Sequence, residues 1–321
     1  MLIDLITSHR KTAAIYAFVD TGLSVHFRDG ACIDIDELSL KSGIDNSRLN
    51  QLFDYLIEIG VLVSNNHGIT LSDECSALSD PESLESLMIK YETNQEHWSS
   101  WVMYSKSLRE NNGKSAFEMV YGKTFFEHLA NNKSLRADFD ALMTKNSSTL
   151  INNLLNIYDF DKYNRMLDLG GASGHLLKSI NEKGKEKGKE KHYAVLDLYN
   201  ELPVSEDIDF INGDFMKSIP SGYDLYILMN IIHNWNDNGV ISILNNCRKA
   251  MDDDATVLLI SMMKKPQSPI ANSMSILMDM IFLSKERYLA EVEYLANQAG
   301  LTIKDSKDID EIYSTIELKV K

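Results

Sequence analysis

Proline and cysteine are scarce in this sequence, and glycine is no more than ordinary: 321 residues contain 5 Pro, 3 Cys and 16 Gly. Collagenous and fully disordered chains are excluded by that composition. Cys32, Cys75 and Cys247 are far apart and include no Cys-x-x-Cys pair, so they read as reduced thiols serving as small buried hydrophobes. No stretch approaches the ~18 uninterrupted apolar residues of a membrane helix. Asp4, His9, Arg10 and Lys11 break any apolar core of a signal peptide. A cytoplasmic protein with no membrane partner is expected. Positive charge is also short: 32 Lys and Arg against 47 Asp and Glu leave a net −15, which argues against broad nucleic-acid binding.

What is present is an ordinary globular composition, 44% apolar and 25% charged. The length suits two domains at ~150 residues each, and such a chain buries a core without metal or disulfide staples. The pattern divides it into a helical part, 1–160, and an α/β part, 161–321.

In the first part, DELSLKSG reads as a short helix stopped by Gly43, and Asp45 or Ser47 suits the cap of the next. Leu49, Leu52, Phe53, Leu56 and Ile57 recur at helical spacing. VLVS, the turn NNHG and ITLS then form a hairpin. Two helices and a hairpin make a winged helix. Residues 1–78 carry five Lys or Arg against eleven Asp or Glu, so dimerisation suits this module better than DNA. Residues 82–160 read as entirely helical. Trp98, Trp101 and Tyr104 share roughly one helical face, followed by Phe139 and Met143. These positions fit core or dimer packing, and they equally fit a substrate pocket.

After Tyr163, strands alternate with helices: RMLDLGG, YAVLDL, DFINGD, YDLYILMNII and TVLLISMM. That alternation implies a parallel, doubly wound, Rossmann-like sheet binding ligand at the carboxyl ends of its strands. Gly170, Gly171 and Gly174 let a backbone approach a ligand at a helix N-terminus. Asp197, ending the second strand, suits two ribose hydroxyls, and Asp214-Phe215 after the third suits an adenine amino group and a stacking face. Each alone also fits a tight turn or solvated loop; in this order they make an adenosine pocket. Because GGASG lacks the GxGxxG of a pyrophosphate site, the cofactor expected is S-adenosylmethionine (SAM). His233, just past the fourth strand, is placed as a general base, although a capping or core histidine fits the same position. No histidine pair has metal-ligand spacing. EKGKEKGKEK, 182–191, reads as a solvated loop or frayed helix. SMSILMDMIFL, with Met278, reads as core or pocket wall.

With these motifs in place the chain resembles the dimeric, SAM-dependent small-molecule O-methyltransferases of plant caffeic-acid and bacterial antibiotic pathways. The likeness runs through FFEHL, FDALM, LDLGGASG, GDF, IIHNWND, ILNNCRKAM and KERYLAEVEYLANQAGL. It implies a homodimer with interlocked N-terminal modules and an acceptor bound between domains. It implies SAM contacts at Gly170, Gly171, Asp197, Asp214 and Phe215; Gly174, Leu198, Met229 and Asn230 complete the candidate cofactor set. It makes His233 the base and matches Glu286 to the family's Glu-Arg-Thr motif. Phe139, Met143 and Asn146 match acceptor-pocket positions, which Trp98 and Met278 extend. The departures are Ala172-Ser173 in the glycine loop, Asn234 after the histidine, Tyr199, Met229, Leu283-Ser284, and Ser261 where a strand-five Glu is usual. The cofactor half is nearly intact while the acceptor half has drifted. The expected activity is SAM-dependent methyl transfer to a hydroxyl or similar heteroatom of an apolar or aromatic small molecule in secondary metabolism. Non-methylating SAM chemistry (cyclisation, lysis, decarboxylation, pericyclic steps) and a non-enzymatic SAM-sensing module are the alternatives.

Overall fold

A computed structural model describes residues 1–110, 113–185, 191–198, 205–266 and 268–321. Tyr199 and the middle of the Lys-Glu run lie outside these residues; residues 182–185 of that run belong to the helix His175–Lys185. Two compact units form, Met1–Ser99 with Asn132–Asn146, and Ser100–Asn131 with Ser147–Lys321.

In the first unit the helix Ile35–Ser42 begins where the Asp34 carboxylate accepts from the Glu37 N–H at 3.0 Å, and it ends at Gly43 in the left-handed region. Asp45 caps the next helix, Asn46–Glu58, by accepting from the Arg48 N–H. Strands β1 (Leu62–Asn65) and β2 (Gly68–Leu71) follow as an antiparallel hairpin. Phe18, Phe27 and Phe53 meet at ring separations of 5.5–6.0 Å. Around them Leu23, Leu38, Leu49 and Leu56 complete a dry core. Cysteine is corrected here: Cys32 is exposed and Cys75 half-buried, and only Cys247 is in a core. Cys32 lies in the loop ahead of Ile35–Ser42, against the hairpin turn rather than under it.

Residues 82–160 form five helices, Leu84–Glu92, Gln95–Arg109, Ala116–Tyr121, Phe125–Ala130 and Lys133–Ile157. The two short ones are separated because Ser115 and Thr124 each open a capping box, which satisfies the free N–H groups of a new helix start.

The second unit is an α/β layer structure. Its strands are β3 (Arg165–Leu169), β4 (His192–Asp197), β5 (Asp209–Asn212), β6 (Leu225–Met229), β7 (Thr256–Met262), β8 (Leu301–Asp308) and β9 (Tyr313–Val320). Their order in the sheet is β5-β4-β3-β6-β7-β9-β8. The five strands read from the sequence, β3 to β7, pair in parallel as expected, and the sheet is extended by two strands that reading did not include, with β9 antiparallel to both β7 and β8. The last two strands are joined directly, and a short connection without a crossover helix can only return antiparallel.

Side chains alternate between the two faces. Tyr226, Leu228, Val257 and Leu259 pack under the helices Asp237–Ala250 and Leu289–Gln298, whereas Leu225, Ile227, Leu258 and Ile260 pack against His175–Lys185 and residues 147–157. The chain winds outward from β3 to β5 and then crosses back to β6. This creates a topological switch point beside β3, with a crevice outside the carboxyl ends of the strands. Among the described residues no helix is long and apolar enough to cross a membrane.

Phe53 is fully buried at the centre of the aromatic trio. Phe53→Ala is expected to destabilise the first unit by about 3–5 kcal/mol in denaturant unfolding; a loss below about 1 kcal/mol would contradict the packing described.

Candidate active site

Strand β3 ends in a loop that leaves no room for side chains. Gly170 adopts φ 75°, and a Cβ there would come within 2.6 Å of Ile231. At Gly171 a Cβ would lie 2.5 Å from a carboxylate oxygen of Asp168. The Gly174 N–H donates to the Gly171 carbonyl, closing the turn before His175–Lys185. The helix therefore starts at His175 rather than at Ala172, which has φ 47°.

The next two strand ends bring acidic side chains to the same edge. Asp197 accepts from the Ala172 N–H at 3.0 Å and the Leu198 N–H at 2.7 Å, tying β4 to the glycine loop. Asp214 accepts from the Met216 N–H at 2.9 Å and lies 3.3 Å from the Lys217 ammonium. Asn246, on the helix Asp237–Ala250, donates to the carbonyls of Phe215 and Met216 at 3.0 and 2.9 Å. That anchor holds the Phe215 ring edge-on to Trp235, with 6.1 Å between centroids.

Past β6 the backbone turns sharply. Met229 is half-buried, and Asn230 takes φ 55° with its N–H on the Ile260 carbonyl. The Asn230 Oδ1 and the neighbouring Ser261 Oγ are both buried without a hydrogen-bond partner. A single 3-10 turn, Ile232–Asn234, then presents His233. Its Nδ1 lies 2.7 Å from Oε1 of Glu286, whose side chain is 1% exposed. A carboxylate only accepts, so Nδ1 carries the proton and Nε2 is left with its lone pair. The Glu286 N–H is itself fixed on Ser275 Oγ at 3.0 Å. Three of the four left-handed non-glycine residues among those described, Ala172, Asn230 and Leu283, border these loops, which is where backbone strain concentrates when a site is held rigid.

Gly170, Gly171, Gly174, Asp197, Leu198, Asp214, Phe215, Met229, Asn230 and His233 thus lie at or just beyond strand ends of one unit, and Glu286 reaches His233 from the connection between the helices Pro269–Phe282 and Leu289–Gln298 of the same unit. Met278 is buried on the helix Pro269–Phe282 of that unit. One residue further on, Asp279 accepts from the Tyr104 hydroxyl at 2.7 Å. Trp98, Phe139, Met143 and Asn146 belong to the other unit. There the Phe139 ring packs on Tyr91, while Trp98, Met143 and Asn146 are exposed.

The residues sequence reading passed over are Asp168, Asn246, Ser275, Arg287 and Tyr313. Two left a signal: Asp168 is a lone acid inside an apolar strand, and Arg287 stands at the arginine of the Glu-Arg-Thr motif matched at Glu286. Asp168 is 2% exposed; burial first, and then the Asp197 charge, raise its carboxyl to about 7. Burial, and then the Glu286 and Asp310 carboxylates, raise the Tyr313 hydroxyl to about 12.

Comparison with known proteins gives the same frame. A family model described as an O-methyltransferase domain matches residues 101–302. The chain is 30% identical over 214 residues to O-methyltransferase SfmM3 of Streptomyces lavendulae, covering 60% of this chain and 62% of that protein, less than two thirds of its length. It is 25% identical over 303 residues to the 2,7-dihydroxy-5-methyl-1-naphthoate 7-O-methyltransferase of Streptomyces carzinostaticus, covering 88% of this chain and 86% of that one. The fold superposes on human N-acetylserotonin methyltransferase, solved in complex with SAM, with a TM-score of 0.86 at 20% identity, over 99% and 96% of the two chains.

A carboxyl raised in the folded state keeps its proton up to about pH 7, whereas an unfolded chain loses it near ~3.9. The stability it contributes is therefore complete below about pH 4 and is lost as the pH rises through 7. Asp168→Asn removes that loss. The melting temperature of the variant minus that of the wild type should rise between pH 5 and 8, and a flat difference would contradict the assignment.

Proposed function

The chain belongs to the O-methyltransferase family, and from that membership we propose that it moves the methyl group of SAM onto a hydroxyl of an apolar or aromatic small molecule, with His233 as general base. The observation that carries this reading is the 2.7 Å pairing of buried Glu286 with His233, which sits in the turn just past β6, the strand adjacent to the one that ends in the glycine loop.

The residues present fit SAM. Asp197 is placed for ribose hydroxyls, Asp214 for the adenine amino group and Phe215 for its face. Gly170, Gly171 and Gly174 keep side chains out of the loop, with Leu198 and Met229 beside it. The orphaned Oδ1 of Asn230 is an acceptor that the ammonium group of SAM would satisfy. When bound, SAM supplies a methyl group on a sulfonium that is already a strong electrophile.

The chain then has to align the acceptor and take its proton. Alignment alone supplies effective molarities of ~10⁵ M or more. Nε2 of His233 removes the hydroxyl proton, and the positive charge that forms on the ring faces Glu286. Base catalysis of this kind adds ~10²–10⁴-fold. Met278 provides apolar surface for the acceptor in this unit. Trp98, Phe139, Met143 and Asn146 are side-chain types suited to a planar ligand that offers a polar edge.

The oligomer we propose is a homodimer joined through the N-terminal unit, in which the two helices and the hairpin serve as a winged-helix dimerisation module in a cytoplasmic enzyme. Leu2, Ile3, Leu5 and Ile6 support it: they open the N-terminal helix Leu2–Asp20 and are 64–75% exposed, apolar surface that a partner copy would cover.

His233→Ala is expected to lower kcat by ~10²–10⁴-fold while leaving SAM affinity by calorimetry unchanged. Unchanged turnover would remove the base assignment. Light scattering on the wild type should give twice the chain mass, and Leu5→Glu with Ile6→Glu should give one chain. A wild type that stays monomeric at micromolar concentration would rule out the dimer.

A further inference from the structure

Glu286 and Arg287 are consecutive, and they reach the same short turn from two directions. Glu286 meets the ring of His233, whereas Arg287 meets the backbone on either side of it. Nη1 of Arg287 donates to the Ile232 carbonyl at 2.8 Å, and Nη2 donates to the Trp235 carbonyl at 2.7 Å. Nε and Nη2 also donate to one oxygen of Asp237, at 3.1 and 2.8 Å. Ser284 Oγ adds a second donor to the Trp235 carbonyl at 2.6 Å. The Arg287 side chain is 2% exposed while Asp237 is 58% exposed, so the buried cation is answered by an anion at the rim. Its own backbone is fixed too, because the Arg287 carbonyl accepts from the Lys264 N–H just past β7.

The turn needs this support. Ile232–Asn234 is one turn of 3-10 helix, closed by backbone bonds of 3.1 Å from Asn234 and 3.4 Å from Trp235. So short a turn with a long final bond does not by itself fix the direction of a side chain. A planar guanidinium presents its N–H groups in a rigid fork, and here that fork spans two carbonyls and a carboxylate at once. A lysine ammonium is a point charge on a flexible stem and cannot span the same three groups.

We infer that Arg287 is a positioning residue that fixes where Nε2 of His233 points, acting from the backbone while Glu286 acts from the ring. The inference rests on reading His233 as the base. Arg287 itself need not touch acceptor or cofactor, since four of its five guanidinium N–H groups are committed to the carbonyls flanking the turn and to Asp237. The same clamp has a second effect. By holding the Trp235 carbonyl it sets the indole against Phe215, whose own carbonyl is held by Asn246. One side chain therefore aligns both the base and the aromatic face proposed for adenine.

The test compares full-length wild type, Arg287→Lys and Arg287→Met. The tautomer of His233 is read by NMR of protein labelled with ¹⁵N-histidine, with His233→Gln identifying its signals. Turnover is read as S-adenosylhomocysteine release and SAM affinity by calorimetry. Arg287→Lys, which keeps the charge, is expected to fold and to lose the single Nδ1–H tautomer of His233. Its kcat should fall about 10- to 100-fold, the scale of a misplaced catalytic group, with a smaller change in KM for SAM. Arg287→Met should show the larger effect, and if it does not fold, Arg287→Lys still decides. A folded Arg287→Lys with wild-type His233 signals and wild-type kcat would overturn the inference. If the wild type releases no S-adenosylhomocysteine with any acceptor, the methyl-transfer reading fails, yet the tautomer measurement still decides the role of Arg287.

Discussion

The hydrogen bond from Nδ1 of His233 to Glu286 is the contact around which the rest of this site is arranged. It selects one of the two tautomers of the neutral ring, with the proton on Nδ1 and the lone pair on Nε2. A carboxylate sealed at 1% exposure tolerates burial only with donors around it, and here the imidazole N–H provides one. The neighbouring features follow from keeping this pair in register. Ser275 fixes the backbone of Glu286, Arg287 and Ser284 fix the backbone around His233, β6 leads into the His233 turn, and a bridge from Arg287 to Met263 holds the Glu286 segment beside the end of β7.

The cofactor end obeys a different constraint, three carboxyl groups gathered at one edge of the sheet with one of them buried. Asp168, Asp197 and Asp214 come from three successive strands, and the first is buried directly beneath the glycine loop. The proximity of Asp168 and Asp197 raises the cost of ionising both. A cationic ligand lowers that cost, and SAM carries a sulfonium and an ammonium. The Gly171 position shows the same economy in steric terms: any side chain there would strike Asp168, so loop and buried acid are a matched pair.

Much of this was legible in the amino-acid order because it depends on local grammar. Glycines at a strand end, an acid closing the next strand and a histidine past the fourth are positions that β-α alternation forces to one edge of a sheet. The cap at Asp45 was readable for the same reason. What was not legible needed contacts distant in sequence. The antiparallel pairing of β9 with β7 was not read, because no periodicity within β9 reveals its partner. Arg287 stands in a recognisable motif beside Glu286, but its partners show only once Ile232, Trp235 and Asp237 fold onto it from about fifty residues away. Ser261 and Asn230 are ordinary polar residues in the sequence, and only their burial shows that their oxygens lack partners. Cys32 failed as a core residue because composition records how often a residue type is buried, not which loop it occupies.

The measurement that bears most directly on the account is mass spectrometry of the adenosine-containing coproduct. Purified protein is incubated with SAM and a panel of small phenols and hydroxylated heterocycles. The account predicts S-adenosylhomocysteine in a one-to-one ratio with a methylated acceptor, and no SAM consumption without acceptor. Enzyme-dependent methylthioadenosine from SAM alone, or an acceptor transformed while SAM is recovered unchanged, would contradict it.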